Sequence, residues 1–289
     1  SFHEYLPPLI ALISLNALLG SSKLFIGFLV DSPAMRSNGL NNTADLIYSL
    51  LLAVGLWLST RPADQSHPEG HSRYESLVGL GVAIILLATG ATALFDAVHT
   101  YWYPTVPQWN SIGMGLLVVS IGLKSLISYY LIQTSDHLES TAIKAIGYDQ
   151  AADALLDLSV ILAIISLSIG WNWLDPLVAG IIGLLIMKMG WEPLVENVHQ
   201  LTGRSPSTEL IEGIKDTTGR FEIFSEPYEI RAHYVGPALH VSLNVKAPAS
   251  ETLGEIHEAE EELREMILKK DDISRVFIHI EPHGTHSPN

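Results

Sequence analysis

The stretch SNGLNNTADLIYSLLLAVGLWLS (Ser37–Ser59) decides the fold class, because it is long and apolar enough to cross a membrane and still contains a carboxylate. Asn41 and Asp45 stand at positions i and i+4 within it, so a helix would present both side chains on one face. Placing an ionised carboxylate in hydrocarbon costs at least ~2.5 kcal/mol. The stretch therefore predicts a membrane-spanning helix whose polar residues have a function that offsets this cost.

The composition supports a membrane protein and excludes several other classes. Of the 289 residues, 48% are hydrophobic and 16% are charged, whereas about a quarter are charged in an ordinary soluble domain. The chain has no cysteine, which excludes disulfides and thiolate sites. A formal net charge of -15 argues against nucleic acid as a partner. The sequence has no phosphate-binding glycine loop, so we expect no organic cofactor.

Six apolar windows are long enough to cross a bilayer, which requires about 20 residues in a helix. The windows are Pro8–Val30, Gly39–Ser59, Leu77–Thr100, Ser111–Gln133, Tyr148–Trp171 and Leu174–Val195. Charged residues are much denser after position 203 than before it. We therefore predict a six-helix transmembrane domain at residues 1–204 and a small polar domain at residues 205–289.

The polar tail alternates helical and strand patterns in the order α-β-β-α-β. Helical spacing occurs in Ser207–Gly219 and in Ser250–Lys270, where Ser250 is the candidate N-cap. Strand patterns occur in Tyr228–Val235, Ala238–Lys246 and Ile273–Glu281. Val235–Pro237 is a candidate hairpin turn between the first two strands. This order predicts a small α+β domain with its helices on one face of a sheet.

Basic residues in the short loops predict the orientation in the membrane. Arg61 and Arg73 lie between spans two and three, Lys144 precedes span five, and Arg204 follows span six. The opposite loops contain only Arg36. Because basic loops stay on the cytoplasmic side, we expect a multi-pass protein of the cell membrane, in contact with the lipid bilayer, with both termini cytoplasmic.

A second acidic stripe lies in the fifth span. Asp149 and Asp153 are again at i and i+4, and Asp157 continues the stripe one turn further. Together with Asn41 and Asp45, the first two would supply four oxygen ligands to one cation, whose charge offsets the burial of carboxylates. The alternative is that these acids hydrogen-bond neighbouring helices or lie at exposed span ends. We favour an ion site.

Potential metal ligands also occur outside the spans. Asp64, His67 and His71 follow span two with a D-x-x-H-x-x-x-H spacing that suits a metal, although a polar turn facing water has the same composition. The tail carries a more dispersed set, namely His233, His240, His257, His279 and Glu281. For each tail histidine, simple surface exposure is the competing interpretation.

Taken together, these residues resemble the cation diffusion facilitator family. The likeness covers nearly the whole chain and includes N-x-x-x-D in span two, D-x-x-x-D in span five, PADQSHPEGHSRYES after span two, LDPLVAGIIGLLI in span six and VFIHIEPH in the tail. The resemblance implies a homodimeric exporter of divalent metal, driven by proton exchange, with a metallochaperone-like cytoplasmic domain. The implied partners are divalent metal ions, protons and a second copy of the chain.

The resemblance also assigns ligands to three places. The central transport site falls on Asn41, Asp45, Asp149 and Asp153, and the loop site on Asp64, His67 and His71. The tail sites fall on His257, His279 and Glu281, with His240 as a further candidate. Two positions depart from the family: the central site lacks the histidine usual in zinc transporters, and Asn244 stands where a tail histidine is frequent.

The all-oxygen central site predicts the ion. Carboxylate and carbonyl oxygens suit Mg, Ca and Mn better than Zn, Cu or Ni, and Mg loses its water reluctantly whereas Ca needs a larger cage. Mn(II) therefore fits best as substrate, in agreement with a resemblance to the manganese-exporting branch, and Fe(II) or Zn(II)/Cd(II) remain alternatives. The competing functions are a metal-binding membrane receptor, an uptake carrier and a metallohydrolase using the loop ligands.

Overall fold

The computed structural model describes residues 2–29, 33–103, 111–171, 173–225, 227, 229–270 and 273–283. The chain forms two compact units, Ser1–Val198 and His199–Asn289. The first unit is helical and the second combines helices with a sheet. Each has its own apolar core.

Among the described residues, six long helices build the first unit, and the last of them ends just beyond Val198. They are α1 (Phe2–Leu29), α2 (Pro33–Ser59), α3 (Arg73–Trp102), α4 (Ser111–Leu138), α5 (Thr141–Ser168) and α6 (Leu174–Thr202). All six are long and apolar enough to cross a membrane, which confirms the predicted spans. Most helices extend beyond the predicted windows, because hydropathy detects only their apolar part. Thus α5 begins at Thr141, where the Ser140 side chain accepts a hydrogen bond from the Ile143 N–H. Val30, the predicted end of the first span, lies outside the described residues.

The helices pack in pairs that bring four of the six around one polar interior. Helix α1 packs on α2 and α4, α5 packs on α3 and α4, and α2 also packs on α3. Helices α3 and α6 approach closely, since a Cβ atom added to Gly90 would lie 2.8 Å from the carbonyl oxygen of Gly183. Large apolar side chains such as Phe25, Phe95 and Leu184 are exposed on the outside, as expected for a surface that meets lipid.

The second unit has the predicted α-β-β-α-β order. Its elements are α7 (Thr208–Thr218), β1 (Glu229–Val235), β2 (Ala238–Ala247), α8 (Leu253–Leu268) and β3 (Ile273–Pro282). The strands form one sheet in the order β1-β2-β3, with β1 antiparallel and β3 parallel to β2. Alternate residues of β2, including Leu239, Val241 and Leu243, are fully buried with Ile214 and Leu263 of the helices.

The N-cap of α8 differs from the prediction. The cap is Thr252 rather than Ser250, because Thr252 and Glu255 form a reciprocal capping box. The Thr252 side chain accepts from the Glu255 N–H, and the Glu255 carboxylate accepts from the Thr252 N–H. These bonds lower the pKa of Glu255, with the Thr252 hydroxyl contributing most.

Candidate metal sites

The acids of the second and fifth helices lie near one another inside the helical unit. Asp45 of α2 is within electrostatic range of Asp153 of α5, and Asp149 is within range of both. All three side chains are half-buried. Within the described ranges, however, these carboxylates do not gather closely enough to form a ready three-ligand group. The structure therefore places these three acids within electrostatic range of one another without presenting a preassembled cage.

A buried lysine occupies the position opposite Asp153. The Lys124 ammonium of α4 donates to Asp153 Oδ2 at 2.8 Å and lies 4.0 Å from Asp157 Oδ2. One turn away, the Ser120 hydroxyl donates to Asp157 Oδ2 at 2.8 Å. The Lys124 side chain is 4% exposed and that of Asp157 is 9% exposed. The acidic stripe of α5 therefore has an ammonium and a hydroxyl as direct partners.

A second buried lysine reaches the same region from α1. The Lys23 ammonium donates to Asn42 Oδ1 at 2.8 Å and to Ser120 Oγ at 3.1 Å, and it lies 3.9 Å from Asp157 Oδ2. Because Asn42 Oδ1 accepts from Lys23, the Asn42 amide N–H₂ is directed to Asp45, where it donates to Oδ2 at 3.3 Å. Lys23 thus fixes the orientation of the amide beside Asp45.

The amide next to Asp45 belongs to Asn42, whereas the sequence pattern and the family resemblance selected Asn41. Asn42 is 1% exposed, and Asn41 is exposed on the single chain. Both residues precede Asp45 by about one helical turn, so helical spacing alone does not distinguish them. Their different burial depends on how α2 is rotated against its neighbours.

Further polar side chains line the same interior. The Asn16 amide donates to Ser49 Oγ at 3.0 Å, and Ser49 in turn donates to the carbonyl of Asp45 at 2.7 Å. The Tyr48 hydroxyl is buried without a hydrogen-bond partner among the described residues, and it lies within electrostatic range of Asp149 and Asp45. These side chains make the interior polar, and polar or charged groups within a span are by default candidates for function.

Sequence reasoning missed four of these residues: Lys23, Asn42, Ser120 and Lys124. The two lysines carried a usable signal, because a charged residue within an apolar span is by default a candidate for function. The sequence interpretation considered only the carboxylates of the spans as charged candidates, so both lysines were overlooked. The pairing of Lys124 with Asp153 rather than another acid required the packing of α4 on α5.

The loop between α2 and α3 holds a compact triad. One donor atom from each of Asp64, His67 and His71 lies within 4.8 Å of the other two, the only such group among the described residues. His71 Nε2 lies 3.5 Å from Asp64 Oδ2, and His67 Nδ1 lies 3.7 Å from Asp64 Oδ1. His71 is buried, while Asp64 and His67 are about half exposed. The structure therefore brings together the three ligands predicted for the loop.

Local hydrogen bonds orient this triad. Asp64 Oδ1 accepts from the Ser66 hydroxyl at 2.7 Å and from the backbone N–H groups of Ser66 and His67 at 2.8 and 2.7 Å. These bonds lower the pKa of Asp64 to about 2, and the bond from the Ser66 hydroxyl contributes most. His71 Nδ1 lies 3.1 Å from the Pro62 carbonyl. Since a carbonyl only accepts, Nδ1 carries the proton and Nε2 is available as a ligand.

The tail candidates are more dispersed. His257 of α8 and Glu281 of β3 both line a cavity of about 850 Å³. His279 Nε2 lies 3.5 Å from Glu281 Oε1, and the His279 side chain is 66% exposed. His240 is buried, with its ring 6.1 Å from that of His233. Within the described part of the single chain, these residues do not form a three-ligand group.

Asn244, which departs from the family pattern, has a structural partner instead. Its Nδ2 donates to Glu229 Oε2 at 2.7 Å, and the two residues are directly paired in the antiparallel register of β1 and β2. The amide therefore links neighbouring strands. This bond occupies the side chain at the position where a metal-binding histidine is frequent in the family.

Comparisons with known proteins agree with this architecture. The family model described as "Cation efflux transmembrane domain" matches residues 9–202, and the one described as "Cation efflux protein, cytoplasmic domain" matches residues 206–283. An uncharacterized transporter of Methanocaldococcus jannaschii is 30% identical over 95% of this chain and 97% of its own length. Two proteins of Bacillus subtilis named manganese efflux system proteins, MneP and MneS, are also similar. MneP is 31% identical over 95% of each chain, and MneS is 29% identical over 94% of each.

Proposed function

This chain belongs to the cation diffusion facilitator family of divalent-metal efflux transporters, and from that premise we propose that it exports Mn(II) in exchange for protons. The observation that carries the proposal is that Asp45 lies within electrostatic range of Asp149 and Asp153 inside helices apolar enough to span a membrane. Such groups in a span require a compensating charge. A divalent cation supplies it.

The donor chemistry supports Mn(II) over the alternatives. Asp45, Asp149 and Asp153 offer carboxylate oxygens. The Asn42 amide directs its N–H₂ group to Asp45, while its oxygen accepts from Lys23. Oxygen ligands suit Mn(II), whereas imidazole and thiolate suit Zn(II). The names of the Bacillus subtilis relatives point to the same metal. Fe(II) is the next candidate, and Zn(II) or Cd(II) follow.

Proton exchange follows from the same carboxylates. Metal entering from the cytoplasm binds the oxygens that protons otherwise occupy, so that one cargo displaces the other. A rearrangement of the helices then opens the site to the opposite side, where protons reload it. In this scheme the helical unit moves one ion per cycle of alternating access.

The loop and the tail serve supporting roles in the proposal. The Asp64, His67 and His71 triad binds a divalent metal at the membrane edge with two nitrogens and one oxygen. The tail lies on the cytoplasmic side, in keeping with the description of its family model. There it holds two copies of the chain together as a homodimer, and both termini lie on the same side. Metal bound by His257, His279 and Glu281 would adjust this packing and so regulate transport.

Transport by reconstituted vesicles tests the proposal. Purified protein is placed in vesicles with a pH gradient, and uptake of Mn(II), Fe(II), Zn(II) and Cd(II) is followed together with proton movement. We expect Mn(II) to be carried fastest, with protons moving in the opposite direction. Equal rates with and without the gradient would contradict proton exchange, and a clear preference for Zn(II) would contradict the oxygen-site argument.

The two neighbouring asparagines provide a matched pair for the ligand assignment. Asn42→Ala removes the amide that contacts Asp45 and Lys23, so we expect Mn(II) transport to fall by about tenfold or more. Asn41→Ala alters an exposed side chain and should leave the rate within about twofold. The reverse ranking would support Asn41, the ligand predicted from the sequence, and imply that α2 rotates during transport.

A further inference from the structure

The ion pair between Lys124 and Asp153 places a cation of the protein itself against a proposed ligand of the transported metal. The Lys124 ammonium is 2.8 Å from Asp153 Oδ2 and 4.0 Å from Asp157 Oδ2. Both side chains of the closer pair are shielded, with exposures of 4% and 19%. Water therefore weakens this attraction much less than it weakens a surface ion pair.

The packing of α4 on α5 makes this placement systematic. Ser120 and Lys124 occupy successive turns of α4, and their partners Asp157 and Asp153 occupy successive turns of α5 in the opposite order. One turn beyond Lys124, Ser128 donates to the Gly147 carbonyl at 2.8 Å. The two helices thus present matching polar rows to each other, and Lys124 is the one member of the α4 row that carries charge.

The balance of charge in this region leaves room for one divalent cation. Asp45, Asp149, Asp153 and Asp157 carry four negative charges when ionised, and Lys23 and Lys124 carry two positive charges. The remaining two negative charges equal the charge of one Mn(II) ion. A metal bound to Asp153 would nevertheless lie close to the Lys124 ammonium, and two cations so close together inside the protein repel each other strongly.

We propose that Lys124 is a tethered counter-ion that pairs with Asp153 in the metal-free protein and leaves it when the metal binds. It neutralises Asp153 while no cargo is present, and its return to Asp153 assists release of the metal. The inference rests on the proposed transport site. In this inference Lys124 of α4 sets the metal affinity of that site without itself being a ligand.

Lys23 has a different environment and a different role. Its ammonium bonds two neutral oxygens, those of Asn42 and Ser120, and its nearest carboxylate oxygen is 3.9 Å away on Asp157. It orients the Asn42 amide rather than occupying a carboxylate of the proposed site. The competition with metal is therefore assigned to Lys124.

Equilibrium binding of Mn(II) to the full-length protein in nanodiscs tests the competition. For each protein, the transmembrane contribution is the binding lost when Asp45→Asn is added, so that metal held by the loop or tail is subtracted. Lys124→Gln should lower the Kd of this contribution by at least about tenfold, because a repelling charge is removed. Release should slow correspondingly, so that the maximal export rate falls while half-saturation occurs at lower Mn(II).

Matched variants separate the charge of Lys124 from its bulk. Lys124→Arg keeps the charge and should restore a Kd within about threefold of the parent. Lys144→Gln removes a lysine that forms a more exposed pair with Glu192 and should leave the Kd unchanged. If Lys124→Gln does not fold, Lys124→Met provides an apolar side chain of similar length for the same measurement.

The outcomes distinguish this inference from the proposed function. An unchanged or weaker Kd in folded Lys124→Gln, with binding still abolished by Asp45→Asn, would overturn the role of Lys124 and leave the site intact. Mn(II) binding and transport unaffected by Asp45→Asn in the parent would overturn the site itself, and the counter-ion role with it. Tighter Mn(II) binding in Lys124→Gln, together with a Kd near the parent value in Lys124→Arg, supports the inference.

Discussion

The transmembrane acids and the loop triad are both candidate metal sites, but they handle their negative charge in opposite ways. Asp153 and Asp157, inside the helical unit, lie against Lys124 and Ser120. Asp64, in the loop, is half exposed and its ligand partners already stand within 4.8 Å of one another. Water stabilises the loop carboxylate, so the triad can be preassembled. An ionised acid in a span needs a counter-charge, and for Asp153 the protein supplies Lys124.

The difference teaches that, under the proposed function, the closeness of donor atoms is not what marks the transport site. By the closeness of its donors, the loop triad is the better metal site, whereas the transmembrane acids are not assembled. A transporter must release its cargo, however. A site whose carboxylate can pair again with a lysine of the protein supports that release. A preassembled site in a water-exposed loop suits capture or stabilisation instead. The following experiments test this contrast, beginning with the largest expected effect.

Removing a transmembrane acid should abolish transport. Asp149→Ala deletes a carboxylate that interacts with Asp45 and Asp153, so we expect Mn(II) flux in vesicles to fall by at least about 100-fold. Asp136→Ala alters an exposed acid on α4 and serves as the control, with flux near the parent rate. Parent-like flux in Asp149→Ala would place the transport site elsewhere, with the loop triad as the first alternative.

Two lysine pairs of the helical unit, Lys124–Asp153 and Lys144–Glu192, should differ in energetic importance despite their similar distances. Asp153→Asn leaves the buried Lys124 ammonium without its closest counter-charge, and we expect the free energy of unfolding in mixed micelles to fall by ~3 kcal/mol. Glu192→Gln breaks a pair of 2.7 Å in which the Glu192 side chain is 59% exposed, which should cost no more than ~1 kcal/mol. Equal costs would show that Lys124 is already compensated by other groups.

The loop triad should contribute less to transport than the transmembrane acids. His71→Ala removes the buried ligand of the triad, and we expect a reduction in Mn(II) flux of about threefold to tenfold, together with the loss of one bound metal per chain. The exposed His137 of α4 provides a control as His137→Ala. Complete loss of flux in His71→Ala would make the triad an obligatory step of the transport path.

The smallest effect concerns the acid of the triad. Ser66→Ala removes the hydroxyl that lowers the pKa of Asp64 most, so this pKa should rise from about 2 towards the ordinary value of ~3.9. Because the folded pKa is the lower one, the stabilising effect is present above the unfolded pKa and disappears as the pH falls through about 2. A carboxyl NMR titration of the labelled parent and of labelled Ser66→Ala measures the Asp64 pKa in each protein. An unchanged midpoint would assign the shift to the backbone N–H groups instead.

Much of this fold is readable from the sequence, and the reasons are physical. Lipid requires long apolar helices, so hydropathy identified six spans, and period-two alternation identified β2 and β3. The ends were less accurate because they depend on local hydrogen bonds. The Thr252 and Glu255 capping box, not Ser250, begins α8.

The candidate site was only partly predictable. Helical spacing placed Asp149 and Asp153 on one face of α5, since that depends on a single helix. The choice between Asn41 and Asn42 depends on the rotation of α2 in the bundle, which spacing does not fix. The partner of Asp153 depends on which helix packs against α5 and in which register. Lys124 was visible as a charge in a span, but its role required the structure.

Anomalous diffraction at the manganese edge, from crystals of the full-length protein grown with Mn(II), tests the central claim most directly. We predict an anomalous peak between α2 and α5, bound by Asp45, Asp149 and Asp153, with the Lys124 ammonium withdrawn from Asp153. Manganese found only at the loop or tail, in a protein that still transports it, with the acids of α2 and α5 paired as they are here, would contradict the account.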